Sequence, residues 1–116
     1  MKNNIVKDKS FLFAVRIVKL GKHLAEKKKE FILSKQILRS GTSVGALVRE
    51  SEQAESKADF IHKLSIALKE ANETEYWLLL LKETNYISDV EFTSLSNDVK
   101  ELLKLLTSIV KKTKFN

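Results

Sequence analysis

An all-α fold, an antiparallel up-down-up-down four-helix bundle, is predicted by three observations. The 116 residues contain no proline and only 3 glycines. Four segments repeat apolar residues at helical spacing, and the stretches joining them are short, about 2–6 residues, which favours antiparallel neighbours. At this length residues 1–116 are expected to form one domain around one core.

The first helix is predicted to begin near Lys7 to Ser10 and to end around Lys29. Phe11, Ala14, Val15 and Val18 form one stripe, and Phe13, Ile17, Leu20 and Leu24 form another beside it. The apolar face is therefore wider than a surface helix requires, which implies burial beyond the protomer's own core. Lys27, Lys28 and Lys29 are placed in the last turn, where cations oppose the negative helix end; the competing use is contact with nucleic-acid phosphates.

A second helix is expected from Leu33 to Glu52 or Glu55, with Leu33, Ile37, Ser40, Val44, Leu47, Ser51 and Ala54 on one face. Its centre is small, and Gly41 and Gly45 each cost about 1 kcal/mol of helix propensity relative to alanine. Close packing of another helix against Ser40, Gly41 and Gly45 is the expected compensation. A phosphate-cradling loop is the alternative, but GTSVG lacks the Gly-Lys-Ser/Thr element and follows no strand.

The third helix is expected to start at a cap on Ser56 or Asp59 and to continue to about Thr84. Phe60, Ile61, Leu64, Ala67, Leu68, Ala71, Leu78 and Leu81 would line its inner face. Asn85, Tyr86 and Ile87 make the next turn, and Ser88 with Glu91 supplies a capping box for the fourth helix. That helix has the clearest heptad, Phe92, Val99 and Leu106 at one position and Leu95, Leu102 and Ile109 at the other.

Charge is distributed unevenly. Residues 1–39 carry +8, residues 40–91 carry −5 and residues 92–116 carry +3, for a net +6. Basic ends flanking an acidic middle suit either complementary charge between neighbouring helices or a positive face for phosphates, with Lys27, Lys28, Lys29, Lys111 and Lys112 as the candidate nucleic-acid contacts. The absence of cysteine excludes disulfides and thiolate metal sites. No secretory h-region or run of about 20 apolar residues is present, so a soluble, cytoplasmic protein without membrane contact is expected.

No constellation of residues specifies a reaction. The 2 histidines, His23 and His62, lie outside any Glu-x-x-His pair, so a di-iron carboxylate site fails on ligand count and order, and no cofactor is implied. Glu75 falls on the apolar stripe of the third helix, with Glu70 near its flank. Together with Arg39, Arg49 and Glu50 on the second helix, they suggest a buried ion-pair and hydrogen-bond layer that fixes register; an acid/base pair is the alternative, without a nucleophile to accompany it. Tyr76 and Trp77 are about 100° apart on the helix, so one of them is left for a subunit contact or for stacking on bases.

The block ILRSGTSVGALVRESEQAESKADFIHKLSIALKEANETEYWLLLLKETNYI resembles the four-helix-bundle family encoded by intervening sequences in bacterial large-subunit ribosomal RNA genes, which also carries a ribosomal-protein label. Its most specific parts are Arg39 to Ser43, Asp59-Phe60, and Ala67 to Ala71 continuing through Glu73, Glu75, Tyr76 and Trp77. One departure is Leu47, where the family pattern carries asparagine. The resemblance implies a non-enzymatic bundle assembled into a ring, commonly a homopentamer, so that the chain's main partner is itself. It also implies kinship with the accessory proteins of diversity-generating retroelements, basic barrel-shaped pentamers associated with nucleic acid and a reverse transcriptase.

Overall fold

The structure, a computed structural model, describes the backbone of residues 2–116 and the side chains from Ile5 onward. Four helices follow one another: α1 (Lys2–Glu26), α2 (Leu33–Ser51), α3 (Lys57–Glu83) and α4 (Asp89–Lys114). Each packs against the next, and α1 closes the bundle against α4 along a smaller seam; among the described residues the backbones of the diagonal pairs stay apart. The result is an antiparallel up-down-up-down rod with extents of 46 × 22 × 19 Å.

Helix α1 starts earlier than the sequence pattern places it. Val6 is buried and continues the stripe of Phe13, Ile17, Leu20 and Leu24, so the helix has a packing reason to extend one turn beyond Lys7. It also ends earlier, at Glu26. Lys27, Lys28 and Lys29 form the connecting turn rather than the last helical turn, and Lys29 adopts φ 56°, which the helix cannot continue through. His23 is the basic residue that occupies the last turn.

Helix α2 has an unusual start. Its N-cap residue, Ile32, has no side-chain acceptor. The Glu30 carboxylate reaches forward instead and accepts from the N–H groups of Ile32, Leu33 and Ser34 at 3.2, 3.0 and 2.8 Å. A negative group over free amides at the positive helix end replaces the usual serine or aspartate cap. Glu30→Ala is expected to lower stability by about 0.5–2 kcal/mol, measurable as a shift in urea midpoint at unchanged slope.

The other caps follow their sequence signals. The Asp59 N–H donates to Ser56 Oγ at 3.0 Å, and Ser88 and Glu91 exchange the two hydrogen bonds of a capping box at 2.9 and 3.1 Å. Helix α3 ends in a Schellman motif: Asn85 takes φ 67°, its N–H donates to the Lys82 carbonyl, and the Tyr86 N–H donates to the Leu81 carbonyl. Asparagine tolerates the left-handed region better than other non-glycine residues, so the chain reverses here without glycine.

The core runs the length of the rod. Phe13, Ile17 and Leu24 of α1 meet Ile37 and Val44 of α2, Leu64, Leu78 and Leu81 of α3, and Val99, Leu102 and Leu106 of α4. The predicted α4 heptad is buried except for Phe92, which is half-buried with the Lys82 ammonium 4.9 Å from its ring centroid. In α2, Val48 rather than Leu47 takes the inner position, and Ala54 lies past the helix end.

Candidate assembly and nucleic-acid surfaces

The small centre of α2 lies against α1. A Cβ added at Gly41 would stand 2.8 Å from both Ile17 Cγ1 and Ile17 Cγ2, and one at Gly45 would stand 3.2 Å from the Ser10 carbonyl oxygen. Gly45 thus admits a neighbouring backbone and Gly41 a branched side chain. Ser40 faces α3 instead: its hydroxyl is fully buried 2.9 Å from Thr74 Oγ1. Carbonyls of their own helices lie within reach of both hydroxyls, Ile37 at 3.4 Å for Ser40 and Glu70 at 2.8 Å for Thr74.

This hydroxyl pair occupies the place expected for a buried ionic layer. The five charged candidates are not brought together. Arg39 is exposed and bridges Glu70 at 3.1 Å and Glu73 at the surface of the α2/α3 groove. Arg49 is exposed on the α1 side of α2. Glu50 is exposed and meets Lys63 at 3.4 Å. Glu75 turns to α4 and accepts from Ser96 Oγ at 3.3 Å. The physical reason is reach: long side chains at the edges of a narrow bundle extend to water, while only short hydroxyls fit between α2 and α3.

Glu73 was the missed member. It receives the Arg39 guanidinium and accepts from Trp77 Nε1 at 2.9 Å. Its carboxyl is held below the usual range chiefly by that indole N–H; burial works against this and Arg39 adds to it. The spacing Glu73 to Trp77, four residues on one helix face, was the available signal. Trp77 is half-buried by this bond, and Tyr76, 57% exposed, touches it edge-on with ring centroids 5.1 Å apart.

Because Glu73 has a lowered folded-state pKa, its contribution to stability is complete above the ordinary glutamate value of about 4.3 and is lost as pH falls through the folded value. The fluorescence of Trp77, the only tryptophan, is therefore expected to change on acidification below the ordinary glutamate range. In Arg39→Gln the midpoint of that change should move to higher pH, because one of the groups favouring the carboxylate has gone.

The outer stripe of α1 remains uncovered. Phe11 (56% exposed), Val15 and Val18 continue across the groove to Leu38 of α2 and Phe31 of the connecting turn. Ala14, Thr42, Gly45 and Ala46 form a low floor at one end of this band. Its rim is basic: Lys22 and Lys35 stand beside Glu26 at one end, and Lys7 and Arg49 at the other.

The candidate phosphate contacts do not make one face. Lys27, Lys28 and Lys29 sit in the turn after α1, whereas Lys111 and Lys112 sit near the C-terminus of the antiparallel α4. They occupy opposite ends of the 46 Å rod. All five are exposed, and among the described residues none forms an ion pair.

These features define an all-α, antiparallel four-helix-bundle protein with an apolar, basic-rimmed band along one side. Among the described residues no helix is long and apolar enough to cross a membrane. The chain belongs to the 23S rRNA-intervening sequence protein family, whose model matches residues 2–108. It is similar to a protein of unknown function from the S23 ribosomal protein family of Bacteroides thetaiotaomicron VPI-5482, known from a crystal structure at 1.70 Å resolution. The two share 65% sequence identity over 96% of this chain and 99% of the other, with a TM-score of 0.95. A comparison with curated proteins gave no match.

Proposed function

We propose that this chain is a non-enzymatic, cytoplasmic homo-oligomeric bundle, assembled as a pentamer, that serves as a scaffold or interaction protein. The supporting observation is the α1/α2 band: Phe11, Val15, Val18, Leu38 and Phe31 form an exposed apolar patch that nothing among the described residues covers. Scattered surface hydrophobes need no explanation, but a contiguous apolar strip along two helices is characteristic of an interface. Light scattering of the purified protein tests the reading. An assembly several times the 13.3 kDa chain mass is expected at micromolar concentration, and a monomer there overturns it.

A second reading is favoured by the five exposed lysines at the two ends: an accessory protein that contacts RNA or DNA phosphates without reading sequence, alongside a polymerase such as a reverse transcriptase. Affinity for structured RNA or duplex DNA should then fall steeply with salt. Replacing Lys27, Lys28 and Lys29 by glutamine should reduce the salt slope by about 2–3. No binding at low salt removes this reading.

A further inference from the structure

The α1/α4 seam, the smallest of the four, is crossed by long charged side chains. Lys9 meets Glu101 at 3.0 Å, and Arg16 donates to Asp98 and, at 2.8 Å, to Ser94 Oγ. His23 follows Arg16 by seven residues and Glu91 precedes Asp98 by seven, so on antiparallel helices this pair falls on the same two faces, two turns nearer the α1 C-terminus. The seam is thus a ladder with cations on α1 and carboxylates on α4. Lys19 breaks the pattern. It is exposed on this same side, and among the described residues it forms no ion pair, because the α4 residues at its level are Ser94 and Leu95.

A cavity of about 370 Å³ opens around that unmatched lysine, lined by Arg16, Lys19, Leu20, His23, Glu91 and Leu95. The buried side chains of Leu20 and Leu95 form its floor. At about 1.5 Å per residue, Arg16 and His23 stand roughly 10 Å apart, so the slot between them has the length of one nucleotide and not of a strand. Its two ends differ in chemistry. At one end Arg16 keeps N–H donors beyond those held by Asp98 and Ser94, and Lys19 adds an ammonium. At the other end Glu91 is an ionised acceptor. Its carboxyl is held below the usual range chiefly by the Ser88 N–H; burial opposes this, and the charges of His23 and Lys28 add to it. One Glu91 oxygen accepts from Ser88 N–H at 2.9 Å, which leaves the other for a donor in the slot.

We infer that this slot binds a mononucleotide, with its phosphate between Arg16 and Lys19 and its base on Leu20 and Leu95, beside His23 and donating an N–H to Glu91. A guanidinium and an ammonium converging on one point match a phosphomonoester. The apolar floor suits a flat heterocycle better than a bare sugar phosphate, and an ionised carboxylate at the far end requires a donor, which a base supplies. Phe11, Val15 and Val18 lie on the other side of α1, so assembly through that band leaves the slot open.

Isothermal titration of the full-length protein with guanosine monophosphate and with guanosine tests the site, with circular dichroism melts confirming that each variant folds. Guanosine monophosphate is expected to bind about tenfold or more tightly than guanosine, the difference being the charge-assisted contacts of its phosphate. Lys19→Gln should remove most of that difference, whereas His23→Ala should weaken both ligands and preserve it. Lys22→Gln, on the α1/α2 side of the same helix, should bind as the wild type does. In amide NMR spectra the nucleotide should shift the signals of Leu20, His23 and Leu95. No binding at millimolar nucleotide, equal losses in Lys19→Gln and Lys22→Gln, or binding of a phosphorylated oligonucleotide without binding of the mononucleotide overturns the proposed site.

Discussion

Ile17→Ala is expected to destabilise the protein by about 2–5 kcal/mol, because a fully buried branched side chain at the centre of the rod would leave a cavity. Gly41→Ala is expected to cost about 1–3 kcal/mol by overpacking, partly offset by about 1 kcal/mol of recovered helix propensity. The clashing atoms are Ile17 Cγ1 and Ile17 Cγ2, each 2.8 Å from the new Cβ. Removing them lets the new methyl occupy part of the vacated space. The double variant should therefore be more stable than the sum of the two losses predicts, by an interaction energy on the order of 1–3 kcal/mol. Urea denaturation of all four proteins measures this, and strict additivity would show that Gly41 is not kept small by Ile17.

The second large effect is expected at the buried hydroxyl pair. Thr74→Val keeps the volume and removes one partner, leaving Ser40 with only a 3.4 Å approach to the Ile37 carbonyl. A buried hydroxyl stripped of its better partner costs about 1–3 kcal/mol. Adding Ser40→Ala removes the orphaned group, and the double variant should regain most of that loss. If Thr74→Val is neutral by thermal melting, the pair contributes nothing to the α2/α3 seam.

Much of the architecture was legible because several local signals agreed. Ser56, Ser88 and Glu91 announced two helix starts, and the α4 heptad announced its buried edge. Gly41 and Gly45 announced a close approach, though not which helix would make it. Apolar spacing placed the start of α2 at Leu33, where it lies, but its cap was not legible, because Glu30 caps it from outside the helix and no serine, threonine, asparagine or aspartate stands at the N-cap.

The polar residues were harder to place. Helical spacing put Glu75 on the apolar stripe, but a long side chain need not end where its Cα points, and this one turns to Ser96 on α4. Arg39 was expected as a partner of Glu75 in a buried layer, whereas it bridges Glu70 and Glu73 at the surface, and Glu73 lies on a flank that apolar periodicity does not mark. A single positive face, one of the two readings of the basic ends, does not form for a topological reason: sequence position along antiparallel helices assigns Lys27 and Lys111 to opposite poles.

That polar separation has a dimensional consequence for any nucleic-acid role. A duplex lying along the 46 Å axis must be roughly 13 base pairs long to touch both lysine groups, at about 3.4 Å per base pair. Shorter duplexes would engage one pole only and release about half as many counterions, so the footprint should show as a step in salt sensitivity with oligonucleotide length.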